Sequence, residues 1–117
     1  MLTENEECYI LVQFLELSKR MGHIQDYAHI PNETFTKSWS VKMRNKKLGV
    51  SKGVPDYMVV LNNAILFVEM KRLKGSKTSP EQLQWQKVLS SINNVESVIC
   101  KGATEAIETI KKYAKIH

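Results

Sequence analysis

Asp56 and Glu69 stand thirteen positions apart, on either side of a stretch that reads as a two-stranded hairpin, and Lys71 follows two positions later. Residues 54–61 read Val-Pro-Asp-Tyr-Met-Val-Val-Leu, and residues 64–71 read Ala-Ile-Leu-Phe-Val-Glu-Met-Lys. Between these apolar, β-branched runs lie Asn62 and Asn63. After glycine, asparagine best tolerates a positive φ, so the pattern predicts a two-residue hairpin. With Leu61 opposite Ala64, the same register sets Asp56 opposite Glu69.

Directly opposed residues on one face of a sheet have Cβ atoms about 4.5–5.5 Å apart, and like charges there repel. Side chains alternate along a strand, so Glu69 and Lys71 share one face while Leu66, Val68 and Met70 point to the other. Two neighbouring carboxylates need a raised pKa, a cation or both, and a hard divalent ion with oxygen ligands is the usual remedy. The alternative is a hairpin whose charges are merely solvated at a strand edge. Against it, residues 65–70 are otherwise wholly apolar, and a lone acid inside such a run needs a reason.

The charge distribution points the same way. The chain of 117 residues carries a net +5, yet Thr34 to Lys77 holds ten basic residues and only two acids, Asp56 and Glu69. That segment is at +8 and the remainder at −3. The cations are Lys37, Lys42, Arg44, Lys46, Lys47, Lys52, Lys71, Arg72, Lys74 and Lys77. Lysines are common on solvated surfaces, but segregation this sharp around paired acids suits a phosphodiester: the cations hold phosphates and an ion serves the one being cut.

Several classes fall away. The length suits one domain, spanning 1–117, with a core of its own. No apolar run approaches the roughly 20 residues of a membrane span, and the acidic N-terminus is unlike a signal peptide, so a cytoplasmic protein without membrane partners is expected. Cys8 and Cys100 make no metal-ligand spacing with His23, His29 or His117, which disfavours zinc and leaves buried free thiols.

The elements that must position the acids can be read in order. Thr3-Glu4-Asn5-Glu6 is a capping-box pattern opening a helix to about Met21, ended by Gly22. Glu7 sits at the rim of its buried stripe, whereas Glu4 and Glu6 look more solvent-facing. Residues 26–30 form a short strand, and Phe35 to Leu48 is basic and partly helical. Trp39 in that stretch could stack on a base, but a core anchor is the commoner use of a tryptophan. Ser79-Pro80-Glu81-Gln82 starts the next helix, running to about Asn93. A strand over 95–100 and a last helix capped by Thr104 complete an α/β chain, a mixed sheet flanked by helices.

Pro55-Asp56 followed by Glu69-Met70-Lys71 resembles the PD-(D/E)XK nuclease superfamily. The surroundings narrow the resemblance to its VRR-NUC group: His29-Ile30-Pro31-Asn32-Glu33, Leu48-Gly49-Val50 leading to Gly53-Val54-Pro55-Asp56, and Ser79-Pro80-Glu81-Gln82. The resemblance implies a restriction-endonuclease-like sandwich and a Mg²⁺- or Mn²⁺-dependent endodeoxyribonuclease leaving 5′-phosphate and 3′-hydroxyl ends. It further implies Asp56, Glu69 and the Met70 carbonyl as metal ligands, with Lys71 at the attacking water. Gln82 would orient the lysine or a phosphate, although a capping-box glutamine can simply bond back to the Ser79 amide. A first-helix glutamate is implied as a further ligand; Glu7 is the choice, with Glu4 and Glu6 open. Lys42, Arg44, Lys46, Lys47, Lys52, Arg72, Lys74 and Lys77 are the candidate DNA contacts. Standalone members resemble homodimeric Holliday-junction resolvases, which makes junction DNA the expected partner, and flap or restriction-like cleavage or a non-catalytic DNA-binding module the alternatives.

Overall fold

The computed structural model describes residues 1–31 and 37–116. Asn32, Glu33 and Phe35, used in the sequence reading, lie outside them, as does His117. The order is α1 (Glu4–Arg20), β1 (Asp26–His29), α2 (Trp39–Lys47), β2 (Tyr57–Val60), β3 (Ile65–Lys71), α3 (Pro80–Ser90), β4 (Val95–Lys101) and α4 (Gly102–Ala114).

The four strands form one mixed sheet in the order β1-β2-β3-β4. β1, β2 and β3 pair antiparallel, while β3 and β4 run parallel with α3 as the crossover. Tyr57 pairs with Val68 and Val60 with Ile65, the expected register. The turn differs in conformation, since neither Asn62 nor Asn63 takes a positive φ. Instead the Leu61 amide bonds the Ala64 carbonyl, and the Gln25 side-chain amide donates to Asn62 Oδ1 at 2.5 Å. The turn is thus closed by one backbone bond and tied through Asn62 to the segment just before β1.

One sheet face carries Tyr57, Val59, Leu66, Val68 and Met70, all buried against α1 and α4. Leu11 and Leu15 of α1 and Ala106 and Ile110 of α4 fill the space between, each with no exposed surface. On the opposite face α3 packs against β4 and buries no residue completely. Ile65, Phe67, Met58 and Val60 therefore stay half-buried there.

Two expectations need correction. Thr104 does not cap α4: the helix starts at Gly102 and has no side-chain cap from its own N-cap residue, Lys101. The orphan amide of Ala103 is satisfied from α1, by Glu7 Oε1 at 3.0 Å. Trp39 is no core anchor either, being 74% exposed on a helix that buries nothing and, among the described residues, packs against no other helix or strand. α2 carries four basic residues and no acid within nine positions, too few apolar side chains to form a buried stripe.

Candidate active site

Asp56 ends the loop that enters β2, and the neighbouring strands clamp it from both sides. Its carbonyl accepts from the Ile30 amide at 2.7 Å and faces His29 Nδ1 at 3.0 Å. Its carboxylate accepts from the Met70 amide at 2.7 Å through Oδ2. By the hairpin register the residue opposite Met70 is Pro55, which has no N–H to give to the ladder. In an antiparallel pair a residue turns its N–H and C=O toward the same partner. The Met70 carbonyl thus lies on the Asp56 side with no ladder donor facing it. Proline before the aspartate frees one backbone oxygen beside two carboxylates.

Glu69 projects from β3 toward α3. Gln82 Nε2 donates to Glu69 Oε2 at 2.6 Å, and Gln82 Oε1 accepts from Lys71 Nζ at 2.8 Å. The same Oε1 accepts from the Ser79 amide at 3.0 Å while Ser79 Oγ accepts from the Gln82 amide, so the capping box is complete. Gln82 therefore caps its helix and ties lysine to glutamate at once. Lys71 Nζ also donates to the Lys77 carbonyl at 3.0 Å and lies 3.7 Å from Glu69 Oε2.

The α3 N-terminus is held against the loop before Asp56. Gly53 has φ +83°, and a Cβ there would lie 2.6 Å from the Glu81 carbonyl carbon and 2.7 Å from the Gln82 nitrogen. Trp85 Nε1 donates to the Lys52 carbonyl at 3.1 Å, fastening the same loop further along α3.

Burial and then the charge of Asp56 push the Glu69 carboxyl up to about 7. Burial likewise raises Asp56, opposed by the Met70 N–H and assisted by the charge of Glu4. Both acids thus resist ionising side by side. Asp56 Oδ1 and Glu69 Oε1 receive no hydrogen bond among the described residues. Two open carboxylate oxygens and a carbonyl without a ladder donor form the all-oxygen set that Mg²⁺ or Mn²⁺ prefers.

Glu7 does not join them. No group of three or more acidic, histidine or cysteine side chains fit to hold a metal occurs among the described residues, and Glu7 is occupied at the start of α4. Glu4, one turn earlier, is the first-helix acid whose charge raises both Asp56 and Glu69. It lines a cleft of about 830 Å³ together with Lys71, Arg72 and Lys77. The brace that His29 gives Asp56 and the Lys77 carbonyl that accepts from Lys71 were not expected from the sequence. His29 stood in a quoted motif, whereas a backbone acceptor leaves no residue-type signal.

The remaining basic residues form two groups. Arg72, Lys74 and Lys77 lie in the loop between β3 and α3, adjoining Lys71. Lys42, Arg44, Lys46 and Lys47 lie on α2, with Lys52 in the loop that follows. None of the eight makes a salt bridge among the described residues.

No protein-family model matches the sequence, and neither does any curated protein. Among solved structures the chain is similar to one described as a VRR_NUC domain protein, at 23% identity and a TM-score of 0.71. The match covers 99% of this chain and 91% of that one. The likeness establishes the fold, a mixed α/β sheet flanked by helices with the same arrangement as in that protein.

Proposed function

We propose, starting from the fold shared with a VRR_NUC domain protein, that this chain is a divalent-metal-dependent endodeoxyribonuclease acting on branched DNA of the Holliday-junction type. The observation that carries the reading is the Asp56–Glu69 pair with Lys71 tied to it through Gln82. Asp56, Glu69 and the Met70 carbonyl would hold Mg²⁺ or Mn²⁺. Such an ion supplies Lewis acidity and charge neutralisation at a scissile phosphate.

The chain's own groups do the positioning. Gln82 fixes the Lys71 ammonium at the edge of the pair, where its compact charge can hold a water in line with a phosphate. The carboxylates, once ionised, orient that water and accept its hydrogen bonds. Arg72, Lys74 and Lys77 extend positive charge away from the centre, as a sequence-independent grip on a phosphate backbone requires.

A homodimer fits the two equivalent strands that a symmetric junction presents. The half-buried sheet face of Met58, Val60, Ile65 and Phe67 and the exposed side chains of Leu83 and Ile92 offer apolar surface for a contact between copies.

Digestion of a panel of four-way junction, flap, splayed and linear duplex DNA with Mg²⁺ or Mn²⁺ tests the reading. Preference for the junction is expected, and preference for the flap or the linear duplex would replace the resolvase assignment with a flap or restriction-like nuclease. Asp56→Ala and Lys71→Ala should lower cleavage by at least about a hundredfold while binding persists. Unchanged cleavage in either variant would remove the site assignment; wild-type binding without any cleavage would leave a DNA-binding module.

A further inference from the structure

We infer that α2 is a nucleic-acid-gripping arm whose Trp39 stacks on an unpaired base, so that the chain senses unpaired nucleotides by a surface separate from its acidic centre. The inference rests on the nucleic-acid reading above and adds a substrate feature, which a four-way junction of complementary arms presents only where bases open at its branch point, and the residue that reads it. The indole is 74% exposed at the first position of a helix that, among the described residues, packs against no other helix or strand. A nine-residue helix is marginal in water on its own strength. It is kept helical here by local means, the Ser38 side chain accepting from the Val41 amide and Gly49 turning the chain at φ +80°.

Its surface chemistry specifies one kind of partner. From Lys37 to Lys52 the chain has six cations and no acid. Trp39, Met43 and Leu48 border a groove of about 570 Å³ that also receives Arg44 and Lys47. An exposed aromatic plane flanked by lysine and arginine is the arrangement that binds single-stranded nucleic acid, the ring stacking on a base and the cations following the phosphates. Inside a duplex each base is covered on both faces by its stacked neighbours, so stacking on the indole favours unpaired over duplex DNA. Pairing α2 with α2 of a second copy would oppose two sets of cations with no acid between them.

The test is binding without metal, in EDTA, to an oligothymidylate and to a blunt duplex. Trp39→Ala should weaken oligothymidylate binding by about five- to a hundredfold, the range for one lost stacked base, and duplex binding by less than about twofold. Trp39→Phe, which keeps an aromatic face, should restore most of the loss. Oligothymidylate should quench the tryptophan emission of the wild type and leave that of Trp39→Ala unchanged, because Trp85 is engaged with the Lys52 carbonyl. Equal weakening on both DNAs would overturn the inference, leaving α2 a purely electrostatic contact. It would also be overturned if light scattering showed a wild-type dimer that Trp39→Ala dissolves, assigning α2 to a second copy. Because no cleavage is measured, failure of the nuclease reading would show separately, as a wild type that binds DNA and cuts none of the junction, flap, splayed and linear duplexes with Mg²⁺ or Mn²⁺.

Discussion

Glu69 is only 7% exposed, and burial together with Asp56 lifts its carboxyl from the ordinary 4.5 to about 7. Between these values the folded chain holds a proton that the unfolded chain has released, so stability falls as pH rises. The contribution is fully present below about 4.5 and gone above about 7, and Asp56, raised in the same direction, adds to it. The melting temperature of the metal-free protein should therefore fall between about pH 5 and pH 8, and Glu69→Gln should flatten that slope. Added Mg²⁺ or Mn²⁺ should raise the melting temperature more at about pH 8 than at about pH 6, since only the ionised pair binds a cation. A metal response independent of pH would mean that these carboxylates are not its ligands. Much of this pair was legible beforehand, because strand alternation and a two-residue connection leave one register that faces acid with acid. The Gln82 clamp was legible only as two competing roles, and the fold joins them through the two atoms of one amide.

At the scale of elements, α1 places two acids one turn apart in different surroundings. Glu7 is used by α4, whose first free amide would otherwise be buried without a partner. Glu7→Ala should cost about 1–3 kcal/mol of stability and leave the metal-induced rise in melting temperature intact. Glu4→Gln should do the reverse, sparing stability and reducing the metal response, because its charge reaches Asp56 and Glu69. Loss of the metal response in Glu7→Ala, with the fold retained, would return Glu7 to the site. The rim position of Glu7 was readable from helical periodicity. Its partner was not: Glu7 and Ala103 are 96 positions apart, and only the packing of α1 against α4 brings them together.

Across the whole molecule, the sheet is covered by two helices on one face and by one on the other, and α3 reaches β4 but not β2. The half-buried apolar strip of Met58, Val60, Ile65 and Phe67, which no helix among the described residues covers fully, is the proposed surface for a second copy. Light scattering should give twice the 13.4 kDa chain mass, and Leu83→Glu combined with Ile92→Glu should return the monomer. Both side chains are about half exposed, so the substitutions burden no core. A monomeric wild type would remove the two-site junction reading while leaving the chemistry of the single centre in place.

The sequence by itself determined the parts whose causes are local or periodic. Capping boxes at Thr3 and Ser79, alternation in β2 and β3, and the charge count around Asp56 and Glu69 all act over a few residues or one strand pairing. Tertiary structure decided where side chains with more than one possible partner would spend their hydrogen bonds. It gave Glu7 to α4, shared Gln82 between Ser79, Glu69 and Lys71, and left Trp39 outside the core. Each outcome depends on which surfaces meet, and a carboxylate, amide or indole is satisfied equally well by several partners until packing leaves one within reach.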